Sequence, residues 1–391
     1  CIRRALHSES AVCERFVEDT RTRTRSNLWT PGTSRCAPGQ TSTQAVSDAI
    51  DRTNLYRWIL GLPLVVNDPE RASIMESCAL IQSIAGELSH FPPRDWECWE
   101  RAGSDEASES NLSLGAKSPS LAVDGLIVDG GLHNALTLGH RRWILRPTLS
   151  SVAFGFSSAD AHATCMHVAP DTPQKPTQSG ASELVTWPAP GPVPYEMVSP
   201  SNIRGEILRW SVVGETVDFE QATIELYREQ TAGQRSGGDV LLPAQSARLL
   251  KGVGDGMWLE PGVPIEAGVS YRVEVQGSSV GDFSWRTTFV DCGLVVPETC
   301  DPVAQDCPLP GTGCYGGERM ECQEIRTLPT GEPCRFMNDC APGSSCMVWE
   351  DGQSRCVDYC ALDESSDRSC DKRCPEGVRE LDPSSGWSMC R

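Results

Sequence analysis

Twelve of the nineteen cysteines fall between Cys300 and Arg391. That density exceeds the roughly 8–10% that marks a chain held by cross-links. The same segment has little hydrophobic content, many turns and no periodicity, so disulfides must supply there what a core cannot. Its spacings fall into two half-similar patterns, Cys300-Cys307-Cys314-Cys322 and Cys334-Cys340-Cys346-Cys356-Cys360, with Cys370, Cys374 and Cys390 trailing. An even number allows complete internal pairing, but spacing leaves the connectivity open. A zinc ribbon would need close Cys-x2-Cys pairs, and none occurs. Reducing cytosol would leave such a segment unstapled, which predicts a secreted, extracellular or cell-surface protein. The cysteine total is odd. Cys1 is the natural leftover, read as a lipid-anchored terminus, as a bridge to another chain, or as an internal partner with the free thiol elsewhere.

The chain has 391 residues, enough for two or three domains. Fifty-three acidic residues against 34 basic ones give a formal charge of −19, which repels phosphate backbones and excludes nucleic acid as a natural partner. The apolar stretch from Trp58 to Val66 is broken by Gly61 and Pro63. It is far short of the about 20 residues a membrane-spanning helix needs, so no transmembrane segment is expected.

Residues 1–40 read as an irregular, Cys-containing extension punctuated by Pro31, Gly32, Pro38 and Gly39. From Thr43 the pattern turns helical, with Ala45, Ala49, Ile50, Tyr56 and Leu60 on one stripe that stops at Gly61. Asp68, Pro69 and Glu70 form a helix start ahead of the apolar face Ile74, Cys78, Ile81 and Ala85, which Gly86 ends. Ser118-Pro119 opens another helix carrying Ala122, Leu126 and Asp129, and a short helix covers Gly139 to Leu145. Val152, Phe154 and Phe156 alternate as a strand. After the proline-rich break from Trp187 to Pro194, period-two segments at 223–227, 271–275 and 283–290 suit an Ig/FnIII-like β-sandwich over residues 191–296. A disulfide-stapled tail, 297–391, completes the chain.

Within residues 41–190 several segments line up in order: Asn54-Leu55-Tyr56-Arg57, Gly61-Leu62-Pro63-Leu64, Leu88-Ser89-His90, Ser110-Asn111-Leu112-Ser113-Leu114-Gly115 and Gly139-His140-Arg141-Arg142-Trp143-Ile144-Leu145. Together they resemble the CAP superfamily of cysteine-rich secretory, antigen 5 and pathogenesis-related-1 proteins, in its bacterial form. The resemblance implies an α+β chain whose CAP/SCP-like domain is an α-β-α sandwich. It also implies a disulfide between Cys78 and Cys98 flanking the Ser-His motif.

Family members often carry a cleft of two histidines and two acidic residues that can hold zinc. By resemblance the cleft here is His90, Ser110, Asp129 and His140, with serine where the family has its first glutamate. His90, His140 and Asp129 remain as metal ligands, but a serine hydroxyl is neither a good zinc ligand nor a general base. No resident cofactor is therefore expected, with zinc as the alternative. In the plainer reading His90 caps the preceding helix and His140 anchors its own short helix. His133 reads as a loop residue, and His162 and His167, bracketing Cys165, as opposite-facing strand neighbours. Asp363, Glu364, Asp367 and Asp371 read as a solvated turn, because they lack calcium-loop spacing. No Gly-x-Ser-x-Gly elbow or phosphate-cradling loop is present.

These features predict a non-catalytic extracellular binding or interaction protein that meets a ligand or protein partner. Two alternatives stand beside it: a self-assembling structural subunit of a surface filament, and a metal-dependent hydrolase using His90, His140 and Asp129.

Overall fold

In the computed structural model, residues 6–24, 27–130, 134–169, 184–198, 208–229, 239–251, 254–293, 300–305, 307, 312–316, 320–348, 353–362, 369–374, 378–379 and 387–390 are described. They divide into two units, Cys1–Cys292 and Gly293–Arg391.

The first unit begins where the sequence reads as irregular. Helix α1 (Glu9–Thr22) starts at Ser8, whose side chain accepts from the Ala11 amide, and buries Val12, Phe16 and Thr20 at four-residue spacing. The sparse apolar content of this stretch hid that stripe. Strands β1 (Trp29–Thr30) and β2 (Gln40–Thr41) follow as a small hairpin. The described residues of 1–40 thus form a helix and a hairpin rather than an irregular extension.

Helix α2 (Thr43–Ile59) is capped by Ser42. The edge strand β3 (Val66–Asn67) and a 3-10 turn at Pro69–Arg71 lead into α3 (Ala72–Ala85). Gly86, at φ 68°, closes α3 in the left-handed conformation glycine adopts freely. Helix α4 (Arg101–Ala107), strand β4 (Ser110–Leu114), helix α5 (Pro119–Val128), and helices α6 (Asn134–Thr137) and α7 (Gly139–Ile144) come next. Strands β5 (Ser151–Ser157) and β6 (Ala163–His167) complete a four-stranded sheet of order β3-β5-β6-β4.

Side-chain alternation sorts this sheet into two faces. Leu112, Ala153 and Cys165 pack with Met75, Cys78 and Ala79 of α3 and Ala107 of α4. On the other face Phe156 packs with Ala45 of α2 and with Leu28. The α/β lobe is therefore the expected three-layer α-β-α sandwich. Gly155 sits where α3 crosses most closely, since a Cβ there would meet the Met75 carbonyl oxygen at 2.0 Å.

Polar residues of the first helix set the turn that follows it. Asn54 exchanges two hydrogen bonds with the Val65 backbone. Arg57, fully buried, donates to the carbonyls of Pro63, Ile144, Arg146 and Leu149 at 2.7–3.0 Å. No carboxylate offsets its burial, which pushes the guanidinium down to about 10. Arg52 bonds Asp19 of α1 and Asp124 of α5, tying the N-terminal helix to the lobe.

Among the described residues, the remainder of the first unit is a sandwich of nine strands. β7 (Leu184–Trp187), β9 (Trp210–Gly214), β12 (Ala244–Leu250) and β13 (Asp255–Pro261) form one sheet, ordered β12-β13-β9-β7. β8 (Gly191–Pro194), β10 (Thr223–Arg228), β11 (Val240–Leu242), β14 (Ser270–Gln276) and β15 (Phe283–Val290) form the other, ordered β11-β10-β14-β15-β8. Trp210 from one sheet meets Tyr271 and Phe289 of the other at centroid distances of 5.8 Å. Strand β7, on the N-terminal side of residue 191, belongs to this sandwich, because β7 and β8 flank the Trp187–Pro188 bond and enter different sheets. Cys13 of α1 is bridged to Cys292, just past β15.

The second unit carries short strands: β16 (Thr312–Gly316) pairs with β17 (Met320–Glu324), while β18 (Ser344–Val348), β19 (Ser354–Ala361), β20 (Val378–Arg379) and β21 (Trp387–Cys390) form a sheet ordered β18-β19-β21-β20. Its bridges among the described residues are Cys300–Cys314, Cys334–Cys346, Cys340–Cys356, Cys360–Cys370 and Cys374–Cys390. Its principal cluster joins Val303, Val357, Tyr359 and Met389 to Cys300 and Cys314.

The expected Cys78–Cys98 bridge is corrected. Cys78 lies on the α3 face turned toward the sheet and bonds Cys165 of β6, whereas Cys98, in a surface loop, bonds Cys36. Among the described residues no helix is long and apolar enough to cross a membrane. Cys1 lies outside them.

Candidate functional site

Three of the four residues of the expected cleft divide between two polar groups, one on each side of β4. Asn111 and Ser110 are neighbours on that strand, so their side chains leave on opposite faces. Asn111 donates to the His140 carbonyl at 3.1 Å. Ser110 donates to Glu106 Oε1 at 3.2 Å, on the α3/α4 face.

The first group is a carboxylate–imidazole pair. Asp129 ends α5 at φ 55°, a left-handed conformation aspartate tolerates. Its Oδ1 accepts from His140 Nδ1 at 2.7 Å and its Oδ2 from the Arg141 amide at 3.2 Å. The carboxylate is buried and the imidazole is 18% exposed. His140 thus anchors α7 to the end of α5, as in the plainer sequence reading.

His90 is not brought to this pair. Its Nδ1 donates to the Ala107 carbonyl at the end of α4, 2.8 Å away, rather than capping the helix before it. Among the described residues, the ligand atoms of His90, Asp129 and His140 do not gather into one metal-sized cluster. His133 lies outside the described residues, as do Asp363, Glu364, Asp367 and the side chain of Asp371.

The second group is one the sequence reading missed. Glu106 of α4 accepts from His167 Nδ1 at 2.5 Å and from Arg71 at 3.0 Å, in addition to Ser110. Glu106 and His167 are both buried. A carboxylate thus reaches Ser110 from four residues earlier in the chain. The helical turn Arg101–Ala107 delivers it, and β6, in register with β4, sets His167 opposite Ser110. The period-two relation between Cys165 and His167 was the available signal for which face His167 takes.

The two arginines of the Gly-His-Arg-Arg segment serve the boundary between lobe and sandwich. Arg141 donates to the carbonyls of Ile127, Val128 and Arg209 and to Ser211 Oγ. Burial pushes it down to about 10, although Asp129 opposes that fall. Arg142 donates to the Thr137, Lys251 and Gly254 carbonyls. Leu138, buried, packs with Leu250 and Trp258 of the sandwich.

A different surface is built for exposure. The loop after α3 presents Phe91 at 80% and Leu88 at 42% exposure. It is held at several points. Gln82 exchanges two hydrogen bonds with the Ser89 backbone, and Ser89 Oγ accepts from the Phe91 amide. Trp99 Nε1 donates to the Pro92 carbonyl, with Arg94 over the Trp99 ring. The His90–Ala107 bond and the Cys36–Cys98 bridge fix its two ends.

No family model and no curated protein matches the chain. Among solved structures it has slight similarity to selenomethionine PcoC, a copper resistance protein from Escherichia coli, at 17% identity and TM-score 0.19, covering 27% of this chain and 94% of that one. An extracellular protein containing an SCP domain, from Bacillus anthracis str. Ames, is similar at 16% identity and TM-score 0.24, over 32% of this chain and 40% of its own. A DUF4784 family protein from Bacteroides caccae ATCC 43185 gives 11% identity and TM-score 0.18, over 45% and 40% of the respective chains. Likenesses this slight assign no family.

Proposed function

We propose that this chain is an extracytoplasmic, non-catalytic interaction protein whose α/β lobe presents the Leu88–Phe91 loop to a protein partner. The observation that carries the reading is the loop itself. A large apolar side chain stands in water on a backbone fixed by hydrogen bonds, ring contacts and a disulfide. Such a residue loses little entropy on docking, which is the property of a binding anchor. Around it Glu87 and Asp95 outnumber Arg94, Glu97 being paired with Arg35, so the complementary partner has an apolar pocket with a cationic rim. The disulfides support the compartment.

The use of the carboxylates supports the non-catalytic part of this reading. Both oxygens of Asp129 and both of Glu106 already accept from internal donors, so neither is a poised general base.

A photoreactive residue at position 91 tests the reading in cells of the native source. It is expected to give one discrete protein adduct that weakens at high salt, while the same residue at exposed Val66 gives none. Equal labelling from both positions, or none from 91, would remove the loop as a docking surface.

A further inference from the structure

Among the described cysteine side chains, Cys36 alone is exposed. Its partner Cys98 is half-buried, whereas Cys78 and Cys165 are fully enclosed. Thiol–disulfide exchange requires an attacking thiolate to reach a sulfur, and Cys36 meets that condition. The residues just before the two cysteines are joined as well. Arg35 donates from Nε and Nη2 to the two Glu97 oxygens at 2.5 and 3.1 Å, and from Nη1 and Nη2 to the two Asp160 oxygens at 3.2 and 2.8 Å. Covalent and ionic links thus run in parallel, 36 to 98 and 35 to 97. We propose that the Cys36–Cys98 bond is a reversible redox switch on the Leu88–Phe91 loop, opened by a dithiol and kept ready to close by Arg35. The proposal rests on the docking role given to that loop and adds its regulation.

The exchange balances in two displacements. One thiolate of the dithiol attacks Cys36 Sγ, and the sulfur–sulfur bond breaks with its electron pair going to Cys98, which takes a proton from solvent. The second thiolate then displaces Cys36, which is protonated in turn. The cystine gains two electrons and two protons, and the dithiol becomes its own disulfide.

Opening loosens the far end of the loop. Cys98 sits at φ 61°, a left-handed conformation that costs a residue bearing a β-carbon, and the bond to Cys36 helps to hold it there. Gln82 and His90 keep their hydrogen bonds nearer α3 and α4. What lies beyond them must then be ordered at docking, which weakens binding. The Arg35 clamp favours closing. A single exposed ion pair contributes little, but a guanidinium forked onto two carboxylates fixes a geometry. Asp160 is itself tied to α3, because its amide donates to Ser83 Oγ. The two thiols therefore stay neighbours at high effective concentration.

The test exposes the whole chain briefly to graded mixtures of reduced and oxidised dithiothreitol, then applies thiol alkylation, peptide mass mapping and amide hydrogen exchange. Cys36 and Cys98 are expected to be alkylated at weaker reducing strength than any other pair. Exchange should rise several-fold across residues 92–99 while α3 is unchanged, and oxidised dithiothreitol should reverse both effects. Arg35→Gln should shift the balance toward the open form several-fold, and high salt should do the same to the native chain. A photoreactive residue at position 91 should give several-fold less adduct in the open chain. The switch is overturned if another bridge opens first, if loop exchange ignores opening, if neither Arg35→Gln nor salt moves the balance, or if the adduct is equally strong in both forms. No adduct even from the closed chain would remove the docking role instead, and the thiol and exchange results separate that failure from failure of the switch.

Discussion

The α/β lobe and the unit after Gly293 solve the same stability problem by different means. The lobe stacks two helical layers on a sheet and then buries charge. Arg57 is enclosed by four carbonyls, and Arg52 is paired to two aspartates. The C-terminal unit instead sets cystines inside its apolar clusters, with Cys340, Cys356, Cys360 and Cys370 buried. Its loops between bridged cysteines are short, 10 to 16 residues apart in sequence. Loops of that length stabilise by about 3 kcal/mol each in the chain-entropy account. Where apolar layers close over a helix, buried arginines can be used to position turns. Where no such layer forms, covalent closure replaces it.

Reduction is the sharpest way to separate the two regions. Under dithiothreitol with limited proteolysis, the segment after Gly293 should be digested first and completely, while a fragment containing the α/β lobe persists. Simultaneous loss of both would erase the distinction. The next largest effect is expected inside the lobe. Arg57→Met removes the donor from four carbonyls, two of them in buried contacts, and should cost roughly 3–5 kcal/mol in chemical denaturation. A change below about 1 kcal/mol would mean that the apolar layers alone hold the turn.

A smaller, pH-dependent effect follows from Glu76 of α3. Its Oε1 accepts from the Thr41 amide at 2.6 Å, but burial lifts it from 4.5 to about 7. A raised folded-state value stabilises in full below the unfolded value near 4.5 and is lost as pH rises through 7. The lobe should therefore weaken by up to about 3 kcal/mol between pH 5 and 8. Glu76→Gln keeps the acceptor and should flatten that slope, and a native chain already flat across this window would contradict the assignment.

What the sequence made legible was whatever depends on local pattern. The caps at Ser118 and Asp68, the stop at Gly86, the α3 face and the β5 alternation all appear where expected. The α1 helix escaped because only Val12, Phe16 and Thr20 mark its buried side. Pairings escaped for a deeper reason. Cys78 lies 87 residues from Cys165, and Glu106 lies 61 residues from His167. Such partners meet only once the sheet has chosen its order. The Gly-His-Arg-Arg segment was legible as a motif, but its arginines work against sandwich carbonyls that carry no side-chain signature.

The Cys13–Cys292 bond has a mechanical consequence. It joins positions 279 residues apart. Tension entering ahead of residue 13 and leaving beyond 292 passes through two sulfur atoms and bypasses everything between them. The helices, sheets and the Leu88–Phe91 loop inside that ring bear no load while the bond is intact. A reductant would therefore act as a release, exposing to traction a region that had been shielded from it.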